Sequence, residues 1–126
     1  MFTDNPSFIV LFTLNLEETK QFYLSLKAKI IEEEQNKIVI ILGENELHFV
    51  NSKGVPDSNY QLEISAQNSL LIYIGTKNIK KTYTTILKLN PIYITPIKPN
   101  DWESKEFMFH DNNGYKFVCY EDLIDF

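Results

Sequence analysis

The first forty residues change hydrophobic period twice. Residues 6–15, PSFIVLFTLN, form an apolar, β-branched run that reads as a largely buried strand. The period then lengthens. In LEETKQFYLSLKAKI, residues 16–30, Leu16, Thr19, Phe22, Tyr23 and Leu26 fall on one helical stripe, and Asn15 stands where an N-cap belongs. AKIIEEEQ and KIVIIL return to strand spacing, GEN is a turn, and ELHFVN is a further strand. The unit so defined is one strand, one helix and three strands.

A polar stretch from Ser52 to about Asn68 separates this unit from a restart of the same order. LLIYIGT reads as a strand, NIKKTYTTILKLN as a helix and YITPI as a strand. The final two strands lie within WESKEFMFHDNNGYKFVCYE, residues 102–121. Pairing Phe12 with Tyr73, Phe22 with Tyr83, Leu26 with Leu87 and Ile31 with Ile92 gives a common step of 61 and suggests an internal repeat. Asn113-Gly114 predicts the tight turn of the last hairpin, with Asp111 accepting from neighbouring backbone N–H groups. Alternation along the last strand puts Phe117 and Cys119 on one face, against a helix, and Lys116, Val118 and Tyr120 on the other.

Two motifs resemble those of the glyoxalase/bleomycin-resistance/dioxygenase superfamily, also called vicinal oxygen chelate. TLNLEETKQFY is similar to its strand-exit and helix pattern, with Asn15 where the family often has Asp. WESKEFMFHDNNGYKFVCYE matches its C-terminal pattern at Trp102, Glu106, Phe107, Asp111 and Gly114. It departs at Glu103 (Gly in the family), Lys105 (Arg), Asn112 (Pro), Tyr115 (Asn) and Val118 (Glu). The resemblance implies an α+β fold: two βαβββ modules forming a U-shaped mixed-sheet cleft with helices outside. It also implies a homodimer, and the modules can pair within one chain or be exchanged between two. The chain is then one domain, residues 1–126, with module one at about 6–52 and module two at about 68–123.

Metal-using members take His and Glu ligands from the first and last strands of each module. The corresponding positions here are Phe8, His48, Ser69 and Val118, of which only His48 is a good ligand. One ligand does not make a site, which points to no metal and no other cofactor. Alternation predicts a wall of Phe8, Phe12, His48, Val50, Ser69, Leu71, Tyr73, Val118 and Tyr120, with Trp102 at the entering loop. Apolar walls with a few polar tips suit a small organic ligand with an aromatic or flat portion. His110 reads as a solvated hairpin residue, Cys119 as a core residue and Glu32-Glu33-Glu34 as a solvated edge.

Charge and composition narrow the classes further. A formal net charge of −5, with twelve lysines and no arginine among the basic residues, argues against a general nucleic-acid binder and favours a cationic ligand. A single cysteine excludes an internal disulfide, and no run approaches membrane-spanning length, so the expected setting is cytoplasmic. The leading reading is a metal-independent small-molecule binding protein without catalytic residues, serving drug or toxin sequestration. The competing reading is a metal-dependent lyase, isomerase or dioxygenase with a displaced site built from His48 with Glu46 or Glu121. A third is an assembly or regulatory protein whose cleft is filled by side chains.

Overall fold

The computed structural model of the 126-residue chain describes residues 1–5, 8–51, 70–101 and 103–122. Two compact units divide the chain, Met1–Val55 and Pro56–Phe126. The first contains β1 (Ile9–Thr13), α1 (Leu16–Ser25), β2 (Lys29–Glu33), β3 (Lys37–Leu42) and β4 (Asn45–Asn51). Its sheet order is β1-β4-β3-β2, with β1 parallel to β4 and the other pairs antiparallel. A parallel pair needs a long crossover, and the helix and two strands between β1 and β4 supply it. Register puts Leu11, Phe49 and Ile38 in one row and Leu47 and Ile40 in the next, all on the helix side. Phe49 meets Tyr23 of α1 with ring centroids 5.1 Å apart. Both residues are fully buried, and each such large side chain contributes about 1.5–3 kcal/mol of hydrophobic stabilisation.

The second unit repeats the plan with β5 (Leu71–Thr76), α2 (Ile79–Lys88), β6 (Lys98–Pro99), β7 (Lys105–His110) and β8 (Lys116–Glu121), in sheet order β5-β8-β7-β6. Phe107, Phe109, Phe117 and Cys119 face the helix, Phe107 meeting Tyr83 of α2 edge-on at 5.3 Å. The strand expected at residues 93–97 is not continuous. Tyr93 and Thr95 bond to β7, Ile94 forms an isolated bridge to Phe109, and regular pairing resumes only at Lys98–Pro99. Pro96 has no N–H to give to a ladder, so the strand breaks there.

The repeat is real, but its step is not 61. Both helices are ten residues long, and their N-caps, Asn15 and Asn78, lie 63 residues apart (78 − 15). The shared sequence is Thr-x-Asn-Leu/Ile-x-x-Thr, residues 13–19 and 76–82. In each copy the Asn side chain accepts from the backbone N–H three residues on, Glu18 or Lys81. In each copy the strand-ending Thr meets the helical Thr through their hydroxyls, Thr13 with Thr19 at 2.9 Å and Thr76 with Thr82 at 2.7 Å. Tyr23 therefore corresponds to Ile86, and Phe12 to Gly75 rather than Tyr73. The 61-residue pairing aligned like residues on two amphipathic helices two positions out of step.

Helix starts and ends show where sequence and backbone agree or conflict. Glu17 and Glu18 complement the N-terminus of α1, but the first turn of α2 holds Lys80 and Lys81 and no acidic residue. There Glu121, from the end of β8, accepts from the Ile79 N–H at 3.3 Å and restores the missing negative charge. Helix α1 ends in a Schellman arrangement, Ala28 N–H to Tyr23 O and Lys27 N–H to Leu24 O, with Lys27 at φ 63°. Glu103 sits at φ 60°, in the position where the resembling motif has glycine. A β-carbon is unfavourable in this region.

Smaller features follow the same physics. Gly114, at φ 90°, supplies the positive φ of the final turn alone, while Asn113 does not adopt it. The fully buried Asp111 accepts from Asn113 and Tyr115 N–H groups at 2.9 and 2.8 Å. Glu32 and Glu33 of the acidic run end edge strand β2 and Glu34 follows it; Glu33 pairs with Lys20 at 2.9 Å, and a bulge falls between Ile30 and Glu32. His110 corrects its expected solvated role. Its ring packs 4.5 Å from that of Tyr93 and is half-buried, because residues 93–95 return alongside β7. Cys119 is buried, and burial pushes its thiol up to about 12.

Replacing Lys27 or Glu103 by glycine removes positive-φ strain, so each variant should gain roughly 0.5–1 kcal/mol in urea unfolding. A loss of stability in both would refute the strain assignment. Burial, followed by the Lys116 ammonium, holds the His110 imidazole below its usual range. The unfolded chain therefore takes up that proton first, and stability falls as the pH drops through about 6.5 toward the lower folded value. His110→Gln should show a smaller loss of unfolding free energy between pH 7 and pH 5 than the parent chain.

Candidate functional site

Each sheet has one face against its own helix and one face turned away from it. On the first sheet, strand alternation brings Phe8, Val10, Phe12, Glu46, His48 and Val50 to the face away from α1. His48 is flanked in register by Val10 on β1 and Val39 on β3, and is only 9% exposed. Its imidazole lies flat against Phe8, with centroids 3.9 Å apart and planes 10° from parallel. His48 Nε2 donates to Glu46 Oε2 at 2.7 Å, which places the proton on Nε2, because a carboxylate has none to give. The ring is thus fixed in orientation by one aromatic and one carboxylate. Phe8 itself remains 53% exposed.

On the second sheet the face away from α2 carries Leu71, Tyr73 and Gly75 of β5, Lys116, Val118 and Tyr120 of β8, and Glu106, Met108 and His110 of β7. Val118 is buried between its register neighbours Tyr73 and Met108. Tyr73 and Tyr120 have ring centroids 6.4 Å apart. Gly75 lies beneath Tyr120, where a β-carbon would come within 3.1 Å of its ring and hydroxyl. Glycine at this point lets the Tyr120 ring lie down across β5.

The structure thus distributes the sequence-derived candidates over two faces. Phe8, Phe12 and His48 share the first; Tyr73, Val118 and Tyr120 share the second. Ser69 and Trp102 fall outside the described residues. The sequence reading omitted Val10, although alternation between Phe8 and Phe12 implies it, and Gly75, whose signal is the Thr-x-Asn repeat. The displaced-site reading offers Glu46 or Glu121 beside His48; Glu46 does meet His48, and Glu121 lies on the helix side of its own sheet at the N-terminus of α2.

Among the described residues, the donors at the positions compared with metal ligands do not make a site for a divalent ion. Phe8 and Val118 offer no donor atom, and with the repeat step of 63, Phe8 corresponds to Leu71, which has none either. His48 and Glu46 touch at hydrogen-bond length. Among the described residues no three His, Cys, Asp or Glu side chains gather into a group that could hold a metal ion.

Comparison with known proteins places the chain by fold and not by sequence. No protein-family model matches the sequence, and no curated protein matches it. Solved structures do match over nearly the whole chain. The chain is similar to a bleomycin resistance determinant encoded on the transposon Tn5, with TM-score 0.70, 12% identity, and 95% of this chain and 99% of that one covered. It is similar to a bleomycin-binding protein complexed with bleomycin, with TM-score 0.67, 12% identity and coverage of 94% and 98%. A glyoxalase family protein from Enterococcus faecalis matches with TM-score 0.70, 19% identity and coverage of 96% and 100%. With its two βαβββ modules, the chain has the fold of the glyoxalase/bleomycin-resistance proteins, the vicinal oxygen chelate fold.

Proposed function

We propose that the chain is a metal-independent binding protein that sequesters a small organic molecule, a drug or toxin, against the aromatic faces its sheets turn away from their helices. The observation that carries this reading is the pairing of aromatic side chains with missing donors on those faces. Phe8, Phe12, Tyr73 and Tyr120 provide flat apolar contact, and His48 provides a polar point fixed by Glu46. The positions of Phe8 and Val118, where metal-using relatives hold ligands, have no donor. Ser69 and Trp102 complete the proposed ligand set, from the sequence pattern alone. One protein of the same fold is a bleomycin-binding protein, which supports a binding role without requiring chemistry. The protein works as a cytoplasmic homodimer in this reading, since pairing covers sheet edges and exposed apolar residues such as Ile9 and Leu71.

A second reading keeps the enzyme chemistry of the superfamily and uses Glu46 and His48, which meet at 2.7 Å, as the start of a displaced metal site. Two measurements separate the readings. Elemental analysis of the purified protein should find no stoichiometric zinc, nickel, iron or manganese, and a thermal-shift screen should find organic ligands that stabilise the chain equally with and without divalent ions. Tyr73→Ala should then weaken binding by about 1 kcal/mol or more, as for an aromatic contact in a desolvated site. One metal per chain, lost on replacing His48, would promote the enzyme reading.

A further inference from the structure

We propose that Phe8, His48 and Glu46 form a subsite for a planar organic cation, such as an amidinium, a guanidinium or a protonated aromatic amine. The inference rests on the reading of the open sheet faces as ligand walls and adds the chemical class that one of them selects. The three side chains make one row. His48 stands at the centre, Glu46 two residues before it on the same face of β4, and Phe8 one residue before Ile9, whose register partner is Leu47. The row is ordered from within, because the buried His48 stacks on Phe8 and donates to Glu46.

What the row leaves outward is an aromatic face and a carboxylate. One face of the Phe8 ring is taken by His48, and the residue is still half exposed, so its second face is available for stacking. The stack already restricts Phe8, so little side-chain freedom remains to be lost when a flat group settles on it. Glu46 uses Oε2 toward His48, and its side chain remains 37% exposed. Glu46 brings the acidic group of the row, and its second oxygen, Oε1, is not the one that meets His48.

The lysines on this face do not cancel it at close range. Lys37 reaches Glu32 at 3.8 Å, and Lys29 stands in the row of Glu46 beyond Ile41, two strand spacings or about 10 Å away. Among the described residues no lysine is paired with Glu46. A planar cation can therefore stack on Phe8 and donate to the Glu46 carboxylate at once. A neutral amide gains only the stacking, and a carboxylate is repelled.

The test uses benzamidine, benzamide and benzoate, which share a ring and differ in charge, titrated into the full chain by calorimetry. Benzamidine should bind at least five-fold tighter than benzamide, and benzoate weakest. Glu46→Gln should bring benzamidine and benzamide to within two-fold of each other, and Phe8→Ala should weaken both. The comparison of the three probes in the unaltered protein needs no variant, so it stands even where a substitution disturbs folding. Equal binding of benzamidine and benzamide to the unaltered chain would overturn the cation subsite while leaving an aromatic ligand wall in place. A five-fold preference that survives Glu46→Gln would remove Glu46 from the proposal. If none of these probes nor any organic compound from the stabilisation screen binds, the ligand-wall reading falls with it.

Discussion

Among the described residues each module has one helix for four strands, and a single helix can cover only one side of a sheet. From this constraint the rest follows. The helix-facing positions must be apolar and closely packed, and they are: Tyr23 on Phe49 in the first module, Tyr83 on Phe107 in the second. The alternate positions are released from that demand. On them the chain places groups that a core would not require, including a carboxylate-anchored histidine and a tyrosine lying over glycine. The seam that holds helix to sheet is short and repeated, a hydroxyl pair between strand-end and helical threonines beside an asparagine cap.

Much of this architecture is legible in the residues because period and turn chemistry act locally. KIVIIL reads as a strand, and β3 occupies the same six residues; Asn15 reads as a cap and is one. The failures have local causes too. YITPI has the composition of a strand, yet Pro96 withholds the N–H that would continue the ladder. The step of 61 misleads because similar aromatics outweigh small polar residues when the two helices are aligned by sequence. Phe22 and Tyr83 look alike but are not equivalent, whereas Thr19 and Thr82 occupy the same place and form the same bond.

The candidate site is legible in part for the same reason. Alternation alone assigns His48 and Val118 to the faces away from the helices, since the assignment needs only the parity of a strand. It does not reveal that Phe8 stacks on His48 or that Glu46 bonds it, because those contacts depend on the register between β1 and β4 and on side-chain rotamers. Burial is equally hidden from parity. Val118 and Tyr73 share a face, but Val118 is enclosed while Tyr73 is 43% exposed. The departure Glu103 for glycine shows the opposite case, a motif difference whose backbone consequence, a left-handed φ of 60°, only the structure shows.

The central claim is that the faces turned away from the helices, not the helix-packed faces, meet the ligand. Amide chemical-shift mapping by nuclear magnetic resonance tests it most directly, using any organic compound that stabilises the chain. The account predicts shifts concentrated at Val10, Phe12, His48, Tyr73 and Tyr120, with Tyr23, Ile86 and the outer residues of both helices unmoved. Shifts confined to α1, α2 or the edge strand β2, with these open-face residues silent, would contradict it.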